Sequence, residues 1–210
     1  ILLHPTLGKR MNTPQAYLVD DDEAIRDALS WLLKSRGLAN AAFDSAESFL
    51  AAWSSEMSGC VVLDMRMSGM SGLDCFDRLR ERESTLPVIF LTGHGDVPLA
   101  VATLKKGAFD FFEKPFNDNA LVTRIEEAMA LDARQRAANA TVDSVKARLS
   151  CLTTRERQIM ELVLAGKFNK VIADELNISM RTVEVHRANL FDKMQVKTAV
   201  ELANLLKTGG

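Results

Sequence analysis

Apolar runs that stop at a charged residue restrict the fold of this chain more than any other feature. Val61-Val62-Leu63 ends in Asp64 and a glycine-bearing loop, Met65-Arg66-Met67-Ser68-Gly69-Met70. Tyr17-Leu18-Val19 runs into Asp20-Asp21-Asp22, and Ala108-Phe109-Asp110-Phe111-Phe112 runs into Glu113-Lys114-Pro115. A short Val/Leu run bounded by turn residues reads as a strand buried on both faces, which places Asp64 at the strand's carboxyl end. Open α/β sheets carry their chemistry at that edge.

Helical spacing fills the intervals. Glu23 to Ser35 places Ile25, Leu29, Leu32 and Leu33 on one face, with Gly37 as its C′ residue. Leu38 to Phe43 reads as a short strand, and Ser45 as the N-cap of a helix carrying Phe49, Leu50 and Trp53. Gly72 to Glu83 reads as helix, Pro87 to Leu91 as a buried strand ending in Thr92, and Asp96 as the cap of a helix reaching Gly107. Phe109 to Phe112 gives a fifth strand, and from Asn117 a helix carries Leu121, Ile125 and Met129. Five strand-helix alternations predict an α/β fold: a five-stranded, doubly wound parallel sheet of flavodoxin-like type.

The character changes after Leu131. Ala133 to Ser150 is rich in Ala, Arg, Gln and Asn and has neither Gly nor Pro. It reads as a solvated helical linker, with a disordered tether as the alternative. Beyond it, Thr153-Thr154-Arg155-Glu156 matches a capping box ahead of Ile159, Leu162 and Val163. Asn169 is placed as the cap of a second helix, Asn177-Ile178-Ser179 as a tight turn, Met180 to Met194 as a third helix and Thr198 to Leu206 as a fourth. Two short helices about a three-residue turn read as a helix-turn-helix in an all-α four-helix domain, although a generic small bundle has similar spacing. The predicted divisions are 14–131, 132–149 and 150–208.

Charge divides the same way. From Lys146 onward 11 Lys+Arg face 7 Asp+Glu, a net +4, which leaves 15 against 21, or −6, for residues 1–145. A polyanionic partner therefore belongs to the second half. Cys60, Cys75 and Cys151 form no CxxC pair and read as structural free thiols in a reducing compartment. No apolar run reaches the ~18 residues of a membrane span, so no membrane partner is expected. Ile1 to Arg10 differs in composition from the remainder of the chain and is read as an added or extended start, outside the fold.

Three acidic strand ends and a lysine strand end can together hold a divalent cation and a phosphoryl group. Asp20, Asp21 and Asp64 would repel one another without a cation, and their hard oxygens suit Mg²⁺ (or Mn²⁺). Its binding leaves Asp64 able to act as a nucleophile toward phosphorus. Lys114 offers a positive group to the developing charge, and Thr92 a hydroxyl to a phosphate oxygen. Pro115 suggests a cis turn after Lys114. Singly, each has a plainer reading: Asp21 or Asp22 as a helix cap, Lys114 as a solvated lysine, Thr92 as a strand end.

The Asp20-Asp21, Asp64, Thr92 and Lys114-Pro115 series resembles the receiver domain of two-component response regulators. The second half resembles the LuxR/FixJ/NarL type of DNA-binding domain, and the resemblance covers nearly everything from Gln15 to Leu206. It implies a transcription regulator rather than an enzyme, whose own catalysis extends at most to its phosphorylation and dephosphorylation. Asp64 would take a phosphoryl group from a sensor histidine kinase. Asp21 would bind the metal directly, Asp20 through water, and the Arg66 carbonyl would be a third protein oxygen. Lys114 would contact the phosphate, and Thr92 and Phe111 would be paired switch residues. A homodimer on phosphorylation, two DNA half-sites, contact with RNA polymerase and a cytoplasmic setting are also implied. Ser68 stands where the family usually has proline, and Met180 where proline often opens the recognition helix.

Within the third helix of the second half, Val183 and Leu190 at i and i+7 face inward. That leaves Glu184, Val185 and Ala188 for the groove floor, and Lys170, Arg181, Thr182, Arg187 and Lys193 for phosphate. Glu184 either accepts from cytosine N4 or pairs with Arg181 or Arg187. Ala199, Ala203 and Asn204 of the last helix are the dimer surface that the resemblance implies. Two rivals are an aspartyl-phosphate hydrolase and a docking module without DNA binding.

Overall fold

In the computed structural model, residues 13–93 and 97–208 are described; Ile1 to Arg10 and the expected cap Asp96 lie outside them. The chain forms two compact units that divide between Gln135 and Arg136.

The first unit is built on a parallel sheet of order β2-β1-β3-β4-β5. Its strands are β1 (Gln15–Val19), β2 (Asn40–Phe43), β3 (Gly59–Asp64), β4 (Val88–Thr92) and β5 (Asp110–Glu113). The helices between them are α1 (Glu23–Ser35), α2 (Ala46–Ala52), α3 (Gly72–Glu81) and α4 (Val97–Lys105), followed by α5 (Asp118–Ser150). Strand periodicity sorts the side chains into two cores. Tyr17, Val19, Val61, Leu63, Val88 and Phe90 pack with Phe49 and Phe76 of α2 and α3. Ala16, Leu18, Cys60, Val62, Ile89 and Leu91 pack with Leu29, Leu33, Leu121 and Ile125 of α1 and α5. Every residue of β3 is buried, as its unbroken apolar sequence requires.

Several boundaries differ from the sequence expectation. β2 begins at Asn40 rather than Leu38, β5 runs one residue later than expected, and α3 stops at Glu81. The stretch expected as a linker is helical and continuous with the preceding helix, so α5 spans 33 residues. Cys60 and Cys75 are buried free thiols and Cys151 is exposed. Burial pushes Cys60 and Cys75 up to about 12, which leaves them protonated and inert.

The second unit contains α6 (Thr154–Leu164), α7 (Asn169–Leu176), α8 (Met180–Met194) and α9 (Ala199–Thr208). Ile159, Val163, Ile172, Val183, Leu190, Met194 and Leu202 form its core. The capping box is present, with Thr153 N–H donating to Glu156 Oε2 at 2.8 Å and Glu156 N–H to Thr153 Oγ1 at 3.2 Å. Asn177 ends α7 in the left-handed conformation. One expectation is corrected: Asn169 is the first helical residue rather than the cap, and Phe168 holds the cap position without a side-chain hydrogen bond. Among the described residues no helix is long and apolar enough to cross a membrane.

Candidate functional site

Parallel pairing aligns all the strands of the first unit, so their carboxyl ends converge on one edge. Asp64 is the last residue of β3 and Thr92 the last of β4, while Asp20 follows β1 and Lys114 follows β5. Oxygens of Asp20, Asp21 and Asp64 lie within 4.8 Å of one another. Lys114 Nζ stands 2.8 Å from Asp20 Oδ2 and 2.7 Å from Asp64 Oδ1. Segments 94 residues apart therefore meet in one polar cluster.

Local geometry frees these groups for that role. Asp22 takes the N-cap of α1, accepting from Ala24 N–H at 2.9 Å and Ile25 N–H at 3.4 Å, so neither Asp20 nor Asp21 is needed there. Asp20 accepts Asp22 N–H on Oδ1 at 2.9 Å, and Asp64 accepts Arg66 N–H on Oδ2 at 3.1 Å. The Lys114-Pro115 peptide bond is cis, as the sequence suggested, and Lys114 N–H donates to the Thr92 carbonyl at 2.7 Å. Thr92 is fully buried, its hydroxyl 3.4 Å from the Phe112 carbonyl. Phe111 is half-buried against the core that includes Phe76 and Phe90.

Burial pushes the Asp64 carboxyl above its ordinary value, outweighing the opposing hydrogen bond and charge of Lys114. Burial alone would lower the Lys114 ammonium, but Asp20 and Asp64 outweigh it and hold the group above its ordinary range. The lysine therefore stays charged. Asp21 is exposed and held below the usual carboxylate range, first by the backbone N–H of Ser68 and then by its hydroxyl. Three hard oxygens beside a lysine are a donor set that suits Mg²⁺ and a phosphate.

Nothing in the residue pattern singles out Gly72 as part of the site. A Cβ there would lie 2.1 Å from the Asp64 carbonyl oxygen, so only glycine lets α3 begin against the end of β3. The resemblance marks Ser68 only as a replacement for proline, yet both of its donors engage Asp21.

In the second unit, α8 buries Val183 and Leu190 and exposes Arg181, Glu184, Val185 and Ala188, the face expected. Lys170 is exposed, and Thr182 and Arg187 are half-buried. The Arg187 guanidinium lies over the Phe191 ring. Glu184 and Arg181 form an ion pair at 3.5 Å, the pairing alternative for Glu184. Lys193 is committed elsewhere: its Nζ bonds the buried Glu156 Oε2 at 2.7 Å. On α9, Ala199 packs into the core of its own unit, Ala203 is half-buried, and Asn204 and Val200 are exposed.

Comparison with known proteins agrees with this architecture. Residues 16–126 match the response regulator receiver domain, and residues 150–206 match the LuxR family of bacterial regulatory proteins. The transcriptional regulatory protein FixJ of Bradyrhizobium diazoefficiens is 45% identical, over 92% of this chain and 95% of its own. The C4-dicarboxylate transport transcriptional regulatory protein DctR of Rhodobacter capsulatus is 47% identical, over 90% and 97%. The solved structure of the response regulator StyR superposes with a TM-score of 0.89 at 41% identity, covering 92% of this chain and 98% of StyR.

Proposed function

The chain belongs to the response regulators that join a receiver domain to a LuxR-type DNA-binding domain, and from that premise we propose how its residues carry the function. It is a phosphorylation-dependent transcription regulator, not an ordinary enzyme. Membership sets aside the phosphate-ester hydrolase and the docking module without DNA binding. The observation that supports our assignment of the pocket is the position of Lys114 Nζ, within 2.8 Å of both Asp20 and Asp64.

In our reading Asp64 is the phosphoacceptor. A carboxylate oxygen attacks the phosphorus of a sensor kinase's phosphohistidine, an O–P bond forms, the N–P bond breaks, and the imidazole leaves with the bond pair and takes a proton. Lys114 follows the transferred group: its ammonium, now between Asp20 and Asp64, pairs with a phosphoryl oxygen. Asp20, Asp21, Asp64 and the Arg66 carbonyl would hold Mg²⁺ (or Mn²⁺), which when bound offsets the charge of the carboxylates and the incoming phosphoryl group. Thr92 would exchange its long bond to the Phe112 carbonyl for a phosphoryl oxygen, and Phe111 would take up the space released behind it. Any catalysis by the chain itself is limited to gaining and losing this group.

The proposed divisions are a receiver at 14–131, a helical linker at 132–149 and a DNA-binding domain at 150–208. Glu184, Val185 and Ala188 would face base edges, with Lys170, Arg181, Thr182 and Arg187 on phosphates. Lys193, bound to Glu156, has a structural role that competes with the phosphate contact assigned to it. The partners we assign are a sensor histidine kinase, double-stranded DNA in two half-sites about one helical turn apart, a second copy of the chain after phosphorylation, and RNA polymerase. The setting is the cytoplasm.

The test is selection from a random duplex pool by the full chain, with and without phosphoramidate and Mg²⁺. Wild type is expected to enrich a two-half-site sequence more strongly with the phosphodonor, and Asp64→Asn to show no such gain. Equal gain in Asp64→Asn would overturn the assignment.

A further inference from the structure

We propose that Ser68 is a positioning residue for the metal-binding edge, tying together the two loops that carry Asp21 and Arg66. The inference deepens the Mg²⁺ reading of the pocket and rests on it.

Ser68 donates twice to one oxygen: its backbone N–H lies 2.7 Å, and its Oγ 2.9 Å, from Asp21 Oδ2. These bonds join positions 47 residues apart, the loop after β1 and the loop after β3. Two donors on Oδ2 fix the rotation of the carboxylate and occupy its main lone-pair directions, so Oδ1 is the atom left for a cation. The Ser68 loop is itself anchored on both sides. Arg66 N–H donates to Asp64 Oδ2 at 3.1 Å, and Met70 N–H donates to Glu47 Oε1 of α2 at 2.9 Å. Gly69, with φ +83°, lies against that same glutamate, where a Cβ would stand 3.0 Å from Oε1.

The consequence is preorganisation. Donors that hold a ligating carboxylate in place are worth about 10–100-fold in metal affinity. Ser68 does this for Asp21 and also holds the backbone two residues after Arg66, whose carbonyl is the other loop ligand we assign. Proline, the usual residue here by the resemblance, has neither an N–H nor a hydroxyl and could make neither bond. This chain therefore carries a latch at a position where a proline-bearing relative would have none.

The test is calorimetric titration of the full chain with MgCl₂ alone, comparing wild type with Ser68→Thr, Ser68→Ala and Ser68→Pro, and with Asp21→Asn as the control. Ser68→Thr keeps both donors and is expected to bind as wild type does. Ser68→Ala keeps only the N–H and should bind about 3–10-fold more weakly. Ser68→Pro loses both and should be weaker by about 10-fold or more. If proline at this position lowers the melting temperature, the Thr and Ala variants decide. Mg²⁺ affinity in Ser68→Ala equal to or tighter than wild type overturns the latch, provided Asp21→Asn abolishes binding. Undiminished binding by Asp21→Asn would instead overturn the metal reading beneath it.

Discussion

Lys114 shows most clearly how one residue joins stability to chemistry. Its ammonium is a quarter exposed, while the carboxylates of Asp20 and Asp64 that it bridges are almost fully buried. Removing one partner of a buried ion pair costs about 3–5 kcal/mol, and solvent access at Lys114 lowers the expectation here to about 1–3 kcal/mol. Lys114→Ala should therefore melt several degrees below wild type in chelator, with MgCl₂ recovering part of the loss; identical melting in both conditions would contradict the pairing. Glu156 gives a pH-dependent case. Burial raises its carboxyl, but the Lys193 ammonium and the Thr153 donors outweigh burial and hold it below its ordinary 4.5. A depressed carboxyl adds stability that is present above the ordinary value and lost as pH falls through the lowered one. Glu156→Gln should thus cost about 1–2 kcal/mol at neutral pH. That gap should shrink as calorimetric scans are taken below pH 4.5, and a gap independent of pH would refute it. Asp64, Asp20 and Lys114 were legible because each ends an apolar run. Ser68 with Asp21 and Lys193 with Glu156 were not, since such pairs are made across 47 and 37 residues by loop and helix placement.

Among the elements, α1 and α8 were legible from end to end; α8 shows why. Its inward spacing and its cap, Ser179 accepting Thr182 N–H at 3.1 Å, depend only on neighbouring residues, and its bounds match the sequence reading. The start of α7 was misplaced because Asn is a good cap by type, yet the chain turns one residue earlier at Phe168. After Leu131 the sequence favoured a helix over a tether, and the stretch is helical; its boundary with the preceding helix was not legible, because helical propensity without an apolar stripe marks none. In the assignment proposed above, two faces of α8 separate folding from DNA binding. Leu190→Ala, at a fully buried position, should cost about 2–5 kcal/mol and be seen as a lower melting temperature. Val185→Ala, half-exposed on the opposite face, should melt within about 0.5 kcal/mol of wild type but weaken binding to the selected duplex. Lys170→Ala should reduce the slope of log affinity against log salt by about one. An unchanged slope would remove Lys170 from the phosphate contacts.

For the whole molecule, the parallel, doubly covered sheet follows from connection rules that the sequence already obeys. Helices of more than a turn between parallel strands, wound with one hand, put both faces of the sheet under cover and all carboxyl ends on one edge. The acidic front and basic back then fall on different units, the pocket on one and the exposed face of α8 on the other. The signalling roles assigned to Asp64, Lys114, Thr92 and Phe111 depend on the phosphoryl group arriving at Asp64. Intact-mass measurement of the full chain after incubation with phosphoramidate and Mg²⁺ tests this most directly. Wild type is expected to gain a single phosphoryl group, lost on mild alkaline treatment as an acyl phosphate should be, while Asp64→Asn gains none. An equal gain in Asp64→Asn, or a stable adduct on another residue, would contradict it.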